Sequence, residues 1–350
     1  MPHFIINAKL GEKTINDSLA ICAIGWFFIG GLSHAKTSLL ISRRAGGMKS
    51  PTTHKSIRGM HPPILRTLEG RMMRLKIEME AVVHNRGVSR LRKGVMTWHL
   101  FTDMDNQFVE MIDVFPPARV TERAEKNMVA IVKVPELNPG ESFSPTVILR
   151  IDTVSRDWLL EPRNTPQEMM ARNRGIYCSM QKYWETTDDV IQEMSQKAAE
   201  RTGDDESYAR LVFDMVRESV KLKTHLDSRI GAARAARERE GDCDEHADLY
   251  VALLRAVRIP ARRIVGHFFR GNSEPEAHAW CEVFLEQKGW IPVDPALGNF
   301  GILNENYFSR IREGQVSERP MISLKWSGIA TEPPTVEEDI RMSVVADDKG

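Results

Sequence analysis

The sequence predicts an α+β protein, with an antiparallel β-sandwich first and then helices leading into an antiparallel sheet on which a cysteine-bearing helix packs. Three observations predict it. Between residues 71 and 153 apolar and polar residues alternate over several short runs, and no helical run interrupts them. From residue 187 the apolar spacing changes to three and four, the period of an amphipathic helix. After residue 262 strand-like runs return, separated by turn residues.

A chain of 350 residues suggests about two domains of roughly 150 each. Its hydrophobic fraction of 42% and charged fraction of 27% suit a globular chain with a sizeable core. Lys+Arg and Asp+Glu both number 48, so no charge excess points to nucleic acid or to a basic partner. The four cysteines, Cys22, Cys178, Cys243 and Cys281, have no repeating spacing and do not form a disulfide framework.

Residues 1–62 read as a leader and linker. The run 19–32 is apolar and glycine-containing without a charge, yet shorter than the roughly 20 residues a membrane-spanning helix needs. It resembles the core of a signal peptide, with Ser33-His34-Ala35 as a cleavage site, although Glu12 and Asp17 precede it. A later start at Met48 or Met60, or an accessory helix, are the competing readings. The expectation is a cytoplasmic protein, with export through the segment 19–35 as the alternative. The basic stretch 42–63 reads as a flexible linker.

Residues 63–158 read as the sandwich. Met73, Leu75, Ile77, Met79 and Ala81 alternate with charged residues, as in a half-buried strand. Runs at 95–102, 108–115, 128–134 and 146–153 continue the pattern, with turns at Pro116-Pro117 and Asn138-Pro139-Gly140. Met72, Met73 and Met79 read as core filling. Nothing here clusters titratable groups, which leaves packing or substrate presentation.

Residues 165–330 read as the second domain. Thr187-Asp188-Asp189 caps a helix with Val190, Ile191, Met194 and Ala198 on one face. Tyr208, Leu211, Val212, Met215, Val216, Ser219 and Val220 share a face of the next. Ser228 is expected to cap an Ala/Arg-rich helix ending near Glu240. Gly241-Asp242-Cys243 then opens a helix with Ala247, Val251, Leu254 and Val257 on one face, stopped by Ile259-Pro260. Cys243 thus falls in a first turn, where unpaired N–H groups and the helix dipole favour a thiolate nucleophile. Strands at 262–269, 277–285 and 290–293 follow, the last two joined at Lys288-Gly289 as a hairpin. His278, Trp280, Glu282 and Phe284 share one face, Cys281 lies on the other, and pairing carries Asp294 toward the His278 end. A nucleophile needs a base, and the base an orienting group. After residue 299 the signals weaken to one strand at 321–326 and a loose tail, 331–350.

Gly241-Asp242-Cys243, the helix ending Leu253-Leu254-Arg255-Ala256 with Ile259-Pro260-Ala261-Arg262, His278-Ala279-Trp280 with Glu282-Val283, and Gly289-Trp290 with Pro292-Val293-Asp294-Pro295 together resemble the transglutaminase-like superfamily of papain-type cysteine enzymes, its microbial branch in particular. The likeness covers roughly 165–300 and rests on three motifs in order. It implies a papain/transglutaminase-like core with Cys243 as nucleophile, His278 as general acid/base and Asp294 as orienting carboxylate. Arg258 departs from the family's usual glycine, which would serve a left-handed helix end at a saving of about 1 kcal/mol.

Plainer readings stand beside these. Cys22, Cys178 and Cys281 read as small buried hydrophobes. Asp242, Asp244 and Glu245 read as partners of the helix dipole that also oppose a thiolate. His246 and His267 read as structural, Arg262 and Arg263 as salt-bridging, and Trp280 as core or as a shield for the imidazole–carboxylate pair. Cys243 with His246, His267 and His278 as zinc ligands is an alternative that lacks a recognisable ligand spacing. A catalytically silent binding or scaffold module is another.

The reading is cysteine-dependent acyl transfer on a peptide or carboxamide through a thioester, with hydrolysis expected because nothing marks an amine site. A protein-glutamine transglutaminase is the alternative. The Cys243 N–H is expected to face the oxyanion, and Gly241 to admit substrate or a neighbouring strand. No metal or organic cofactor is required. The expected partner is a peptide or protein substrate, and no membrane contact is expected of the folded domains.

Overall fold

Strand Met72–His84 carries its core residues two apart: Leu75, Ile77, Met79, Ala81 and Val83 are all buried. Met73 is half-buried, whereas Met72, expected in the core, faces solvent at 51% exposure. The computed structural model describes residues 9–10, 71–160, 175–223, 228–316, 321–327 and 333–345. Cys22, the signal-like segment 19–35 and the linker 42–63 lie outside the described residues. Gln107–Phe115 and Thr146–Val154 extend the first sheet, while Lys93–His99, Met128–Val134 and Arg119–Glu122 belong to the second. Trp98, Val132, Leu149 and Leu324 fill the space between them.

Both sheets take a strand from the far end of the chain. Ile322–Ser327 pairs with Lys93–His99, Ile322 opposite Trp98. Thr335–Val344 pairs with Met72–His84 from Thr335 opposite His84 to Val344 opposite Leu75. The loose tail expected over 331–350 is thus a ten-residue strand across 335–344. Its alternation was masked because one inward position is Glu338. That carboxylate is buried and accepts from Arg310 Nη2 at 2.7 Å and from Trp98 Nε1. From residue 71 onward the described residues belong to one compact unit with two hydrophobic cores.

The second core lies between helices and a five-stranded antiparallel sheet. Helix Asp189–Ala199 starts at Asp188, whose side chain accepts from the Val190 N–H, and buries Ile191, Ser195 and Ala198. Asp204 caps Asp205–Ser219, which buries Tyr208, Ala209, Val212, Phe213 and Val216. The Ala/Arg-rich helix spans Ala232–Glu238 and starts at Gly231, not at Ser228. Gly231 has φ 88°, and a Cβ there would stand 2.6 Å from the Glu185 carboxylate, so a side chain is excluded.

Sheet order runs Asn299–Phe300, Gly289–Asp294, Glu276–Leu285, Ala261–Phe268, Tyr307–Glu313. The hairpin pairs Leu285 with Gly289 and Cys281 with Val293. The face bearing Cys281 meets the helix Cys243–Ala256, the Cys281 thiol donating to the Ala247 carbonyl at 3.3 Å. Ala247 through Leu254 of that helix are fully buried or nearly so. At its end Arg258 takes φ 67°, the Ile259 N–H reaches the Leu254 carbonyl, and the Arg258 N–H reaches that of Arg255. These two bonds form a Schellman cap, with arginine where the left-handed position favours glycine.

Candidate active site

The helix Cys243–Ala256 begins with a reciprocal cap. Asp242 accepts from the N–H groups of Asp244 and Glu245, and the Glu245 carboxylate accepts from the Asp242 N–H at 3.1 Å and the Ile230 N–H at 2.8 Å. Burial, then the neighbouring Asp242, push the Glu245 carboxyl up to about 7. Gly241 makes room for this cap: a Cβ there would stand 2.4 Å from Glu245 Cβ. The close approach expected at Gly241 is therefore that of a side chain, together with the parallel bridge Lys221–Leu222 to Glu240–Gly241. Cys243 follows, half-buried, at the first helical position. Among the described residues, the amides of Asp242, Asp244, Glu245 and His246 have acceptors in the chain, so the Cys243 N–H is the donor at the helix start.

The acids around the thiol are compensated. Arg263 pairs with Asp244 and, at 2.6 Å, with Glu313. Arg229 forms a two-pronged pair with the buried Asp248, which also accepts from Trp184 Nε1 at 2.8 Å. Burial raises the Asp244 pKa, but Arg263 and Arg229 outweigh it and hold the carboxyl low.

His278 and Asp294 come together across the hairpin. His278 Nε2 lies 2.7 Å from Asp294 Oδ2, with Asp294 0% exposed and His278 9%. Asp294 Oδ1 accepts from the Leu297 N–H at 3.0 Å. With Nε2 committed to Asp294, Nδ1 is the ring nitrogen left for Cys243, whose side chain bears on the charge of the ring. Burial pulls the His278 pKa down, but the hydrogen bonds and charges of Asp294 and Cys243 overcome this and raise it to about 10. The ring is thus an imidazolium beside the sulfur at neutral pH.

Aromatic rings enclose the pair. Trp280 stacks on His278 at 5.9 Å and 23°, Phe268 meets it edge-on at 6.1 Å, and Tyr307 tilts against it at 6.0 Å. Trp280 is therefore at once part of the core and stacked on the imidazole. Tyr307, Asn299 and Phe268 were not singled out in the sequence. The strand Tyr307–Glu313 is buried on both faces, with Arg310 inside, and so shows no period of two.

Other candidates lie elsewhere. His246 sets Nδ1 at 2.7 Å from the Asp242 carbonyl and Nε2 at 3.1 Å from that of Val220, which occupies both nitrogens. His267 sits against Phe101 at 5.6 Å, and burial, then Arg310, lower its pKa to about 3. The alternative zinc ligands Cys243, His246, His267 and His278 do not converge: among the described residues the cluster around Cys243 with ligand spacing is Asp242, Cys243 and Asp244. Cys178 and Cys281 are buried. Arg262 pairs with Glu125 at 2.7 Å and Glu282 at 2.6 Å. It borders a cavity of about 520 Å³ on the Trp280–Phe284 face, with Trp290 and Arg312.

Residues 192–295 match a family model described as the transglutaminase-like superfamily. A protein-glutamine gamma-glutamyltransferase of Pseudomonas aeruginosa is 36% identical over 67 residues, 16% of this chain and 10% of that protein. The uncharacterized protein YebA of Bacillus subtilis is 32% identical over 71 residues, 17% and 10% of the two chains. The chain thus spans about a tenth of the length of the curated relatives it matches. Among solved structures, a candidate cysteine protease from Cytophaga hutchinsonii shares the fold at a TM-score of 0.56 and 17% identity, over 80% of this chain and 93% of that one. Among the described residues no helix is long and apolar enough to cross a membrane.

Proposed function

Residues 192–295 form a domain of the transglutaminase-like superfamily, and from that premise we propose that the chain catalyses cysteine-dependent acyl transfer on a peptide or protein carboxamide. Cys243 is the nucleophile, His278 the general acid/base and Asp294 the carboxylate that fixes the ring. The observation that carries this reading is the His278–Asp294 pair, 2.7 Å apart with Asp294 fully buried, to which Cys243 at the helix start is electrostatically coupled.

The chemistry follows from the charges. The reactive form in this proposal is the thiolate–imidazolium pair, and its sulfur attacks the carbonyl carbon. The Cys243 N–H, at the positive end of its helix, donates to the developing oxyanion. His278 hands its proton to the departing amine, and a thioester remains on Cys243. An incoming water or amine gives its proton to His278 as it attacks the thioester, which restores the thiolate–imidazolium pair. Asp294 holds the tautomer and stabilises the cation throughout. Trp280, Phe268 and Tyr307 keep water from the ring, so each of these charges acts in a low dielectric.

Hydrolysis is the reading we adopt for the acceptor step. Transfer to an amine is the second reading, favoured by the local identity to a protein-glutamine gamma-glutamyltransferase. Incubating the purified chain with a glutamine-containing peptide, with and without a primary amine, and weighing the products separates them. Cleavage or a gain of one mass unit per glutamine indicates water as acceptor; an amine adduct indicates transfer. Full turnover by Cys243→Ala would remove the proposal.

A further inference from the structure

The two edges of the five-stranded sheet meet behind the imidazole. Asn299 lies on one edge strand and Tyr307 begins the other, with three strands between them in the sheet order. Even so, Asn299 Nδ2 donates to Tyr307 Oη at 2.7 Å. The sheet is therefore curled, and the phenol sits where its edges close. Tyr307 Oη donates in turn to Asp294 Oδ2 at 2.7 Å, the oxygen that also accepts from His278 Nε2.

The direction of these bonds is fixed. A phenol carries one proton, and a carboxylate can only accept. Since Asn299 donates into Oη, the phenolic proton goes to Asp294. Reversing the Asn299 amide would leave two acceptors competing for that proton. Tyr307 is 1% exposed, edge-on to Trp280 at 5.2 Å and Phe268 at 5.0 Å. Burial, and then the Asp294 charge, lift its pKa far above the phenol range, so it remains a donor.

Resting on the reading of Cys243, His278 and Asp294 as a triad, we infer that Tyr307 is a positioning residue for it, holding Asp294 Oδ2 and dividing that oxygen's charge between a phenol and the imidazole. A buried carboxylate facing His278 alone would bind the imidazolium proton more tightly. His278 would then be a weaker acid toward a leaving amine. Tyr307 thus keeps the ring charged without making its proton unavailable. The charged and titratable groups that bear on His278 are Cys243 and Asp244 from the helix, Asp294 across the hairpin and Tyr307 from the edge strand. Arg270, over the Phe268 ring at 4.8 Å, acts on Tyr307.

The test follows His278 itself. Histidine 15N chemical shifts are titrated in the full chain with Tyr307→Phe against the parent, each also in a Cys243→Ala background. Tyr307→Phe keeps the aromatic wall and removes the donor. The expected result is a His278 midpoint raised by about one pH unit, with kcat roughly tenfold lower and KM unchanged. Asn299→Ala, which removes the donor that polarises the phenolic O–H toward Asp294, moves the midpoint the same way by less, and it decides the matter if Tyr307→Phe does not fold. A merely structural Tyr307 would lower Tm and leave the midpoint in place; an unmoved His278 titration in a folded variant overturns the inference. The titration needs no substrate, so a shifted midpoint in a chain that turns over no peptide retains the Tyr307–Asp294–His278 coupling while removing the acyl-transfer reading.

Discussion

Arg263 ion-pairs with Asp244, the residue that follows Cys243. The same guanidinium holds Glu313 at 2.6 Å, so one cation on the sheet answers two carboxylates, one of them beside the nucleophile. Arg263→Gln removes the larger of the two cations that compensate Asp244 beside the sulfur and leaves Arg229 alone to do so. Alkylation of Cys243 by iodoacetamide at mildly acidic pH should slow about tenfold or more, and the fold should lose about 3–5 kcal/mol because buried carboxylates are left unpaired. Rates that match the parent would mean that Asp244 does not act on the thiol.

The His278–Asp294 pair makes stability depend on pH. The His278 pKa is raised to about 10 when folded, against about 6.5 in an unfolded chain. Its contribution is therefore complete below pH 6.5 and is lost as pH rises through 10. Asp294→Asn should be destabilised by a few kcal/mol near pH 6, and the gap to the parent should narrow toward pH 10. Urea melts at both pH values check this, and a gap that widens with pH contradicts it.

Arg258 holds a left-handed backbone at φ 67°. Its helix end forms both Schellman bonds without glycine. Arg258→Gly should therefore stabilise the fold by about 1 kcal/mol, read as a rise in Tm, with kinetics unchanged. A fall in Tm would show that the arginine side chain contributes more than the backbone strain costs.

Glu338 joins the C-terminal strand to the rest through Arg310 and Trp98, all three buried. Glu338→Ala strands a buried guanidinium and should cost about 3–5 kcal/mol in a thermal or urea melt. A loss below about 1 kcal/mol would mean that this strand is only loosely attached.

The motifs around Cys243, His278 and Asp294 were legible because each combines a reactive side chain with a local signal. Cys243 follows an N-cap aspartate, and the other two sit in a hairpin whose turn sets their register. The α+β class followed from the change of period along the chain. What was not legible involves long-range charge. Glu338 and Arg310 lie inside, where a pattern-based reading expects apolar residues, so their strands looked irregular. Tyr307 meets Asp294 only because the sheet curls, and no local spacing encodes that closure. The cap at Gly231 was missed because serine at 228 gives a stronger sequence signal than glycine, and the need for glycine comes from a φ of 88° and from Glu185, distant in sequence, which leaves no room for a Cβ.

The most direct test of a thiolate held by His278 is the rate of iodoacetamide labelling of Cys243 at pH 6 in the parent and in His278→Ala, read by peptide mass. Rapid labelling is expected at Cys243 and little at buried Cys178 and Cys281, with that preference lost in His278→Ala. Equal labelling of Cys243 in the two chains would contradict it.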